Sequence, residues 1–175
     1  VADGLLATVC FGEVVLWDGE RARSFPTLPV SPERGFPQQV AVDGRHLVWG
    51  TQTGHVVAHS LPDGALLWEV ALGVGAVRSL TLGPEGNALS VLGSSLGVHI
   101  LDASSGTTRW VLPELGGEQA AGIDAAGHSV VLAERVHRWE LPNSFDLSVP
   151  GGVTDLSFSR SGDQLAVADG TGASI

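Results

Sequence analysis

Lysine and methionine are absent from this 175-residue chain, and Cys10 is its single cysteine. One cysteine cannot close an internal disulfide, so a secreted, disulfide-held scaffold is excluded and a reducing, cytoplasmic setting is expected. Without lysine, nine arginines are the only permanent side-chain cations against 19 acidic residues, giving a net charge of −10. Proteins that bind duplex nucleic acid or anionic membranes draw much of their affinity from a basic face, so neither partner is expected. The missing lysine reads as the codon usage of a GC-rich, bacterial genome. Long apolar runs are missing as well. None approaches the length that spans a bilayer, and the N-terminus has neither the basic flank nor the long apolar stretch of a signal peptide. Since position 1 is valine, the expectation is that Val1 lies downstream of a further segment.

What the chain does have is 24 glycines, nine prolines and 43% apolar residues, distributed as short apolar runs between turns. That content is enough to bury a core, and the pattern is that of many short strands with no long amphipathic helix to compete.

The strands repeat. Val14–Asp18, Val56–Ser60, Val98–Asp102 and Val136–Glu140 share one phase, and their fourth residues, Trp17, His59, Leu101 and Trp139, are 42, 42 and 38 residues apart. A second marker travels with the first: a glycine three residues ahead of an apolar strand, in the pairs Gly44 and Leu47, Gly86 and Leu89, Gly127 and Val130, Gly162 and Leu165. One unit reads as four alternating strands, Val77–Leu82, Ala88–Leu92, Gly97–Leu101 and Thr107–Leu112, joined by tight turns. Four short antiparallel strands per period of about 40 residues make the blade of a β-propeller, in which neighbouring sheets cover each other's faces. The predicted fold is therefore all-β, about four blades' worth of a propeller. Three whole blades cover about 38–70, 77–112 and 119–149, between partial ones at 1–25 and 153–175. In this phase the chain opens on a second strand, Leu5 to Val9, and ends on a third. An arc of this kind exposes an apolar face at each end; two faces of about 300 Å² each would forfeit on the order of 15 kcal/mol. It is expected to be a fragment that pairs with the missing blades, another chain or a copy of itself.

The tail from Val153 to Thr171, with Asp169 in the turn after its second strand, closely resembles the WD-repeat family. Trp17-Asp18 and Trp139-Glu140 match that family's Trp-Asp ending, whereas its Gly-His pair is missing, Gly54-His55 standing in another phase. Two windows, Ala58–Trp68 and Ile100–Trp110, resemble the tryptophan-docking repeats of pyrroloquinoline-quinone propellers, with a turn glycine four residues before Trp68 and before Trp110. The structural markers of the repeat are thus Trp17, Asp18, Trp68, Asp102, Trp110, Trp139 and Asp169, and packing between blades is the expected role of the repeating tryptophans. Trp49 lies outside both tryptophan phases and reads as a second-strand core residue.

Candidate chemistry is sparse. Gly93-Ser94-Ser95-Leu96-Gly97 has the G-x-S-x-G form of a nucleophile elbow, but it sits between two strands and lacks the helix that the elbow needs, so it reads as a turn of small residues. His99 and His137 occupy equivalent places in successive units. Equivalent points on stacked sheets are about 10 Å apart, too far to share an ion. His46, His55, His59 and His128 lack ligand spacing too. No catalytic residue, metal site or cofactor is expected. The loop Pro26–Pro37 is longer than its counterparts at 71–76 and 113–118, and it carries Arg34 and Phe36, residue types common at interface hot spots. Those two are the candidate partner-binding residues.

The WD-repeat resemblance implies a non-catalytic scaffold or sensor module that holds other proteins. Two alternatives stand beside it. One is a quinoprotein-like propeller enzyme, which would carry a quinone, a calcium site and in many members a vicinal cysteine pair that Cys10 cannot supply; an absorbance scan for bound quinone separates it. The other is the gate or sensor portion of a larger enzyme.

Overall fold

In the computed structural model of the chain, the described residues are 5–10, 12–18, 23–24, 32–61, 63–83, 85–95, 97–112, 120–123, 129–132, 135–139, 144–148, 153–158, 164–169 and 172–174. Alternating side chains interrupted by glycine turns leave the backbone one economical way to satisfy its hydrogen bonds, the short antiparallel hairpin. The first sheet holds β1 (Leu5–Cys10), β2 (Glu13–Asp18) and β3 (Arg23–Ser24). A single 3-10 turn, Pro32–Arg34, then leads into the second, made of β4 (Pro37–Val42), β5 (His46–Thr51), β6 (His55–Ser60) and β7 (Leu66–Ala71). The third is β8 (Val77–Leu82), β9 (Ala88–Gly93), β10 (Val98–Asp102) and β11 (Thr108–Leu112). The fourth is β12 (Ala120–Ile123), β13 (Ser129–Leu132), β14 (Arg135–Trp139) and β15 (Ser144–Ser148), and the fifth β16 (Val153–Phe158), β17 (Leu165–Asp169) and β18 (Gly172–Ser174). Within each sheet the strands follow chain order, each antiparallel to the next. Among the described residues no helix is long and apolar enough to cross a membrane.

The leading strands β4, β8, β12 and β16 pack side by side, which sets the sheets around a common line as propeller blades. The repeat is visible in the irregularities too: β4, β8 and β16 each carry a register shift at their start, at Pro37/Gln39, Val77/Ser79 and Val153/Asp155. In sequence phase β1 is a second strand, yet it packs directly against β4 in the row of leading strands. Leu5, Ala7 and Val9 of β1 pack into the same cluster as Val40 and Val42 of β4.

The core lies between sheets. Val14 and Leu16 of the first sheet meet Leu47, Trp49 and Val57 of the second. The opposite face of the second sheet, Val48, Val56, Ala58 and Trp68, meets Leu89, Val91 and Leu101 of the third. The far face of the third, Ala88, Leu92, Val98 and Ile100, meets Ile123 of the fourth. This is the period-two code used twice over: odd and even residues of a strand each face a different neighbour.

The link from the second sheet to the third is pinned as firmly as a strand. Val74 is fully buried. Its carbonyl accepts from Ser95 N at 3.0 Å, Ala76 O accepts from Ser94 N at 2.8 Å, and Gly54 O accepts from Leu72 N at 3.0 Å. Gly93 makes room for it: a Cβ there would lie 2.3 Å from Val74 Cβ and 2.4 Å from Val74 O.

The last hairpins of the second and third sheets share a turn. Gly64 N donates to Ser60 O at 2.9 Å and Gly106 N to Asp102 O at 2.8 Å, with both glycines in the left-handed region at φ 72° and 71°. In the third sheet Asp102 Oδ1 accepts from the backbone N of Ser104 and Ser105 at 3.0 and 3.1 Å and from both hydroxyls, while Oδ2 pairs with Arg109 Nη2. The Ser104 and Arg109 hydrogen bonds hold the Asp102 carboxyl well below the usual carboxylate range.

Two outcomes follow from these contacts. Gly93→Ala should destabilise the chain by about 1–3 kcal/mol in urea or thermal melting, because the new methyl collides with backbone as well as side chain. A carboxyl whose pKa is lowered on folding contributes stability that is complete above its unfolded value, about 4, and is lost as pH falls further. Asp102→Asn should therefore lower the melting temperature by about 2–4 °C at neutral pH. Melts below pH 4 should show that difference closing.

Candidate functional site

The loop that carries Arg34 and Phe36 is held by the second sheet. Thr53 Oγ1 donates to Arg34 O, Gln52 N donates to Phe36 O at 3.0 Å, and Gly35 is packed against Thr53. The two candidate residues then diverge. Arg34 Nε lies 2.7 Å from Glu69 Oε1 on β7, an oxygen that also faces His55 Nδ1 at 3.3 Å. Its charge is thus spent within its own blade. Phe36 is 61% exposed. Its ring nevertheless has a seat, since a Cβ on Gly12 in the β1–β2 turn would lie 2.8 Å from Phe36 Cδ1. Phe36 therefore bridges the first two sheets with one ring face covered and the rest open. Residues 26–31 of this loop lie outside the described residues.

Glu69 and Gly12 are absent from the candidate residues read in the sequence. Glu69 follows the repeat tryptophan Trp68, and Gly12 sits in a hairpin turn, so the only signal either carried was its place in the repeat.

Beside β1, β4 and β8 lies a cavity of about 290 Å³, lined by three consecutive residues from each: Leu5–Ala7, Val40–Val42 and Leu80–Leu82. Thr81 is the only one of the nine with a polar side chain, so the lining offers no acid, base or metal ligand. The serine of the G-x-S-x-G turn, Ser95, donates its backbone N to Val74 O at 3.0 Å, and the hydroxyl of its neighbour Ser94 accepts from Ala76 N at 3.0 Å, so the turn is tied to the inter-sheet link. It leads into β10, a strand.

The histidines are dispersed. His46 pairs with Asp43 at 3.1 Å across its hairpin, and His59 Nδ1 lies 3.0 Å from Gly64 O. His99 sits on β10 with its Nδ1 buried and unpartnered among the described residues, and burial pushes its pKa down, favouring the neutral ring. His128 and the side chain of His137 lie outside the described set. Among the described residues no three His, Cys, Asp or Glu side chains gather in a way that could hold a metal.

The tryptophans separate by neighbour. Trp49 is fully buried between the first two sheets, its Nε1 without a partner among the described residues. Trp68 is 9% exposed; its Nε1 donates to Ala103 O at 2.8 Å, 35 residues along the chain, and its ring lies on Gly106. Trp110, paired to Ile100 as Trp68 is to Ala58, is 45% exposed. Trp17 is 41% exposed, its Nε1 donating to Thr8 Oγ1 at 3.2 Å across the hairpin. Packing between blades thus describes Trp68 but not the open faces of Trp17 and Trp110. For Trp139, Asp18 and Asp169 the backbone pairing is described: Trp139 with Ser144, Asp18 with Leu5 and Arg23, Asp169 with Val153 and Gly172.

No protein-family profile matches the chain, and no curated protein matches it in sequence. Solved structures match its fold. A chain of the mitotic checkpoint complex superposes with a TM-score of 0.79 at 17% identity, over 95% of this chain and 54% of that one. The structure of U3-55K gives 0.80 at 12% identity, over 97% and 57%. The dihydro-heme d1 dehydrogenase NirN gives 0.69 at 21% identity, over 99% and 41%. The chain spans about half the length of the propeller chains it matches. With its four-stranded antiparallel sheets, it has the fold of a partial β-propeller.

Proposed function

We propose that this chain is a non-catalytic interaction scaffold, a run of propeller blades that holds other proteins or further blades of the same propeller. The observation that carries this reading is the free face of the first sheet. Leu6 and Trp17 are directly opposite each other on β1 and β2, and they are 48% and 41% exposed. On the same face Thr8 pairs with Val15, while the other face of the sheet is buried against the second. In the second and third sheets the equivalent faces are covered by a neighbouring sheet, so this one has the chemistry of a surface that takes another blade. The Gly93–Gly97 turn, which leads into a strand, and the dispersed histidines favour the non-catalytic reading over a hydrolase or metal enzyme. A reducing, cytoplasmic setting belongs to the same proposal.

Two measurements test it. In size-exclusion chromatography with light scattering, the chain should run heavier than one copy, and Leu6→Glu with Trp17→Glu should return it to a single copy. A monodisperse monomer of the unaltered chain with one cooperative melt would overturn the scaffold reading. At the second edge, Phe36→Ser should weaken capture of a bound partner by about tenfold or more with little change in melting temperature. Arg34→Ala should act chiefly through stability, by up to about 1 kcal/mol, because its ion pair with Glu69 is partly exposed.

A further inference from the structure

The outermost strands β7, β11 and β15 are each paired on one side only, so each has a free backbone edge. An unpaired edge is a template for another strand, and proteins blunt such edges with a charge, a proline or a covering loop. The repeat shows how two of the three edges are blunted. Third-strand residues Val57, His99 and His137 occupy equivalent places, and the residues opposite them on the outer strands are Glu69, Val111 and Asp146. A carboxylate thus stands at this point in the second and fourth sheets. In the third it is replaced by valine.

Nothing else on β11 takes over that task. Thr108, Arg109, Trp110 and Val111 are all exposed, Trp110 by 45% and Val111 by 46%. Arg109 is the extra residue of the register shift between Ile100 and Leu101, and its guanidinium is turned back to Asp102 within the sheet. Past that shift the edge runs Trp110-Val111-Leu112, in regular register with Ile100, His99 and Val98 and with no charge or proline. By that register Trp110 shares the face of Ile100 and Val111 the face of His99. A strand laid along the edge would therefore meet an exposed side chain on each face, together with the row of outward backbone groups between them.

We infer that the outer edge of β11 takes an extended segment of a partner protein as a fifth strand of its sheet, a segment that is β-branched and uncharged at its centre and basic at its ends. The backbone groups call for a strand, and the neutral run from Trp110 to Leu112 calls for an uncharged centre. Net charge selects the ends. A five-residue edge buries much less than a sheet face, so charge weighs more there, and a second copy would bring −10 against −10 where a basic segment is attracted. The inference rests on the scaffold reading for its biological use.

The probe is a seven-residue peptide of alternating threonine and valine with a lysine at each end, titrated into the full chain while backbone amides are followed by NMR. The amide resonances of Thr108–Leu112 should move in a saturable manner, and their hydrogen exchange should slow. The same peptide N-methylated at alternate residues should not bind, because it cannot form the ladder, and exchange of its lysines for glutamates should weaken it by about threefold or more. Val111→Glu, which restores the carboxylate of the neighbouring sheets, should weaken binding by about tenfold or more while lowering the melting temperature by no more than about 2 °C; Val111→Thr should keep binding. Unmoved β11 amides, equal binding of the N-methylated peptide or undiminished binding to Val111→Glu would each overturn the inference. So would a peptide that fails on a chain whose own association is lost on Val111→Glu, since the strand would then come from a second copy. If the peptide fails while the chain still associates through Leu6 and Trp17, only the edge site is lost. If the chain is a monomer but the peptide binds, the scaffold reading fails and the edge site stands.

Discussion

A sheet of four strands, each six residues or fewer, has two faces and almost no interior, so its stability comes from whatever lies against those faces. That requirement organises the whole molecule. The inner strands β5, β6, β9 and β10 send alternate side chains to opposite neighbours, and the leading strands β4, β8, β12 and β16 line up because sheets covering one another in series must turn about a common line. Gly50 shows the tightness of the fit. A Cβ there would lie 2.6 Å from Val77 Cγ1, so one methyl would separate the second sheet from the strand that begins the third. Such close approach also explains the rigid inter-sheet link, where burying Val74 fixes the backbone that Ser94 and Ser95 then bond.

Much of this order is legible from the residues. Hairpin turns, period-two alternation and the recurrence of third strands every 38 to 42 residues are local properties, and a local property survives reading in one dimension. Strand boundaries such as Val77–Leu82 and Ala88–Gly93 lie at or next to the glycine and proline punctuation. The propeller itself follows from covering the faces of repeated sheets. What is not legible depends on the neighbouring sheet. The spacing from Gly64 to Trp68 equals that from Gly106 to Trp110, but the Trp68 seat lies 35 residues downstream, and the corresponding connection beyond Trp110 has another length. Likewise nothing near Arg34 announces Glu69, which reaches it only because β7 returns past the start of β4. β1 fails for the same reason: its phase says second strand, while in space it packs against the leading strand β4.

Charge follows a similar logic. With no lysine and nine arginines, every cation is a planar donor suited to fixed geometry. Among the described residues Arg34 is used that way on Glu69 and Arg109 on Asp102, each holding a turn at the edge of a sheet. The Asp102 turn joins both themes. Its carboxylate gathers the amides of Ser104 and Ser105, which fixes the conformation that puts the Ala103 carbonyl and Gly106 before Trp68. Local electrostatics thus prepare a seat for an apolar ring from the previous sheet, and blade-to-blade cohesion depends in part on a hydrogen-bonded turn that touches solvent.

A frame built by repetition gains function where the repetition lapses. Core positions tolerate little change, because each side chain is bounded by the neighbouring sheet as well as its own. Trp110 shares its register and its preceding glycine turn with Trp68 and is still 45% exposed, so it is held in place and open at once. Phe36 is a milder form of the same condition, seated on Gly12 by one ring face and open on the rest. Preorganised aromatic surface of this kind costs little conformational entropy when a partner covers it. The positions where this chain departs from its own repeat are therefore the positions where binding is cheapest to acquire.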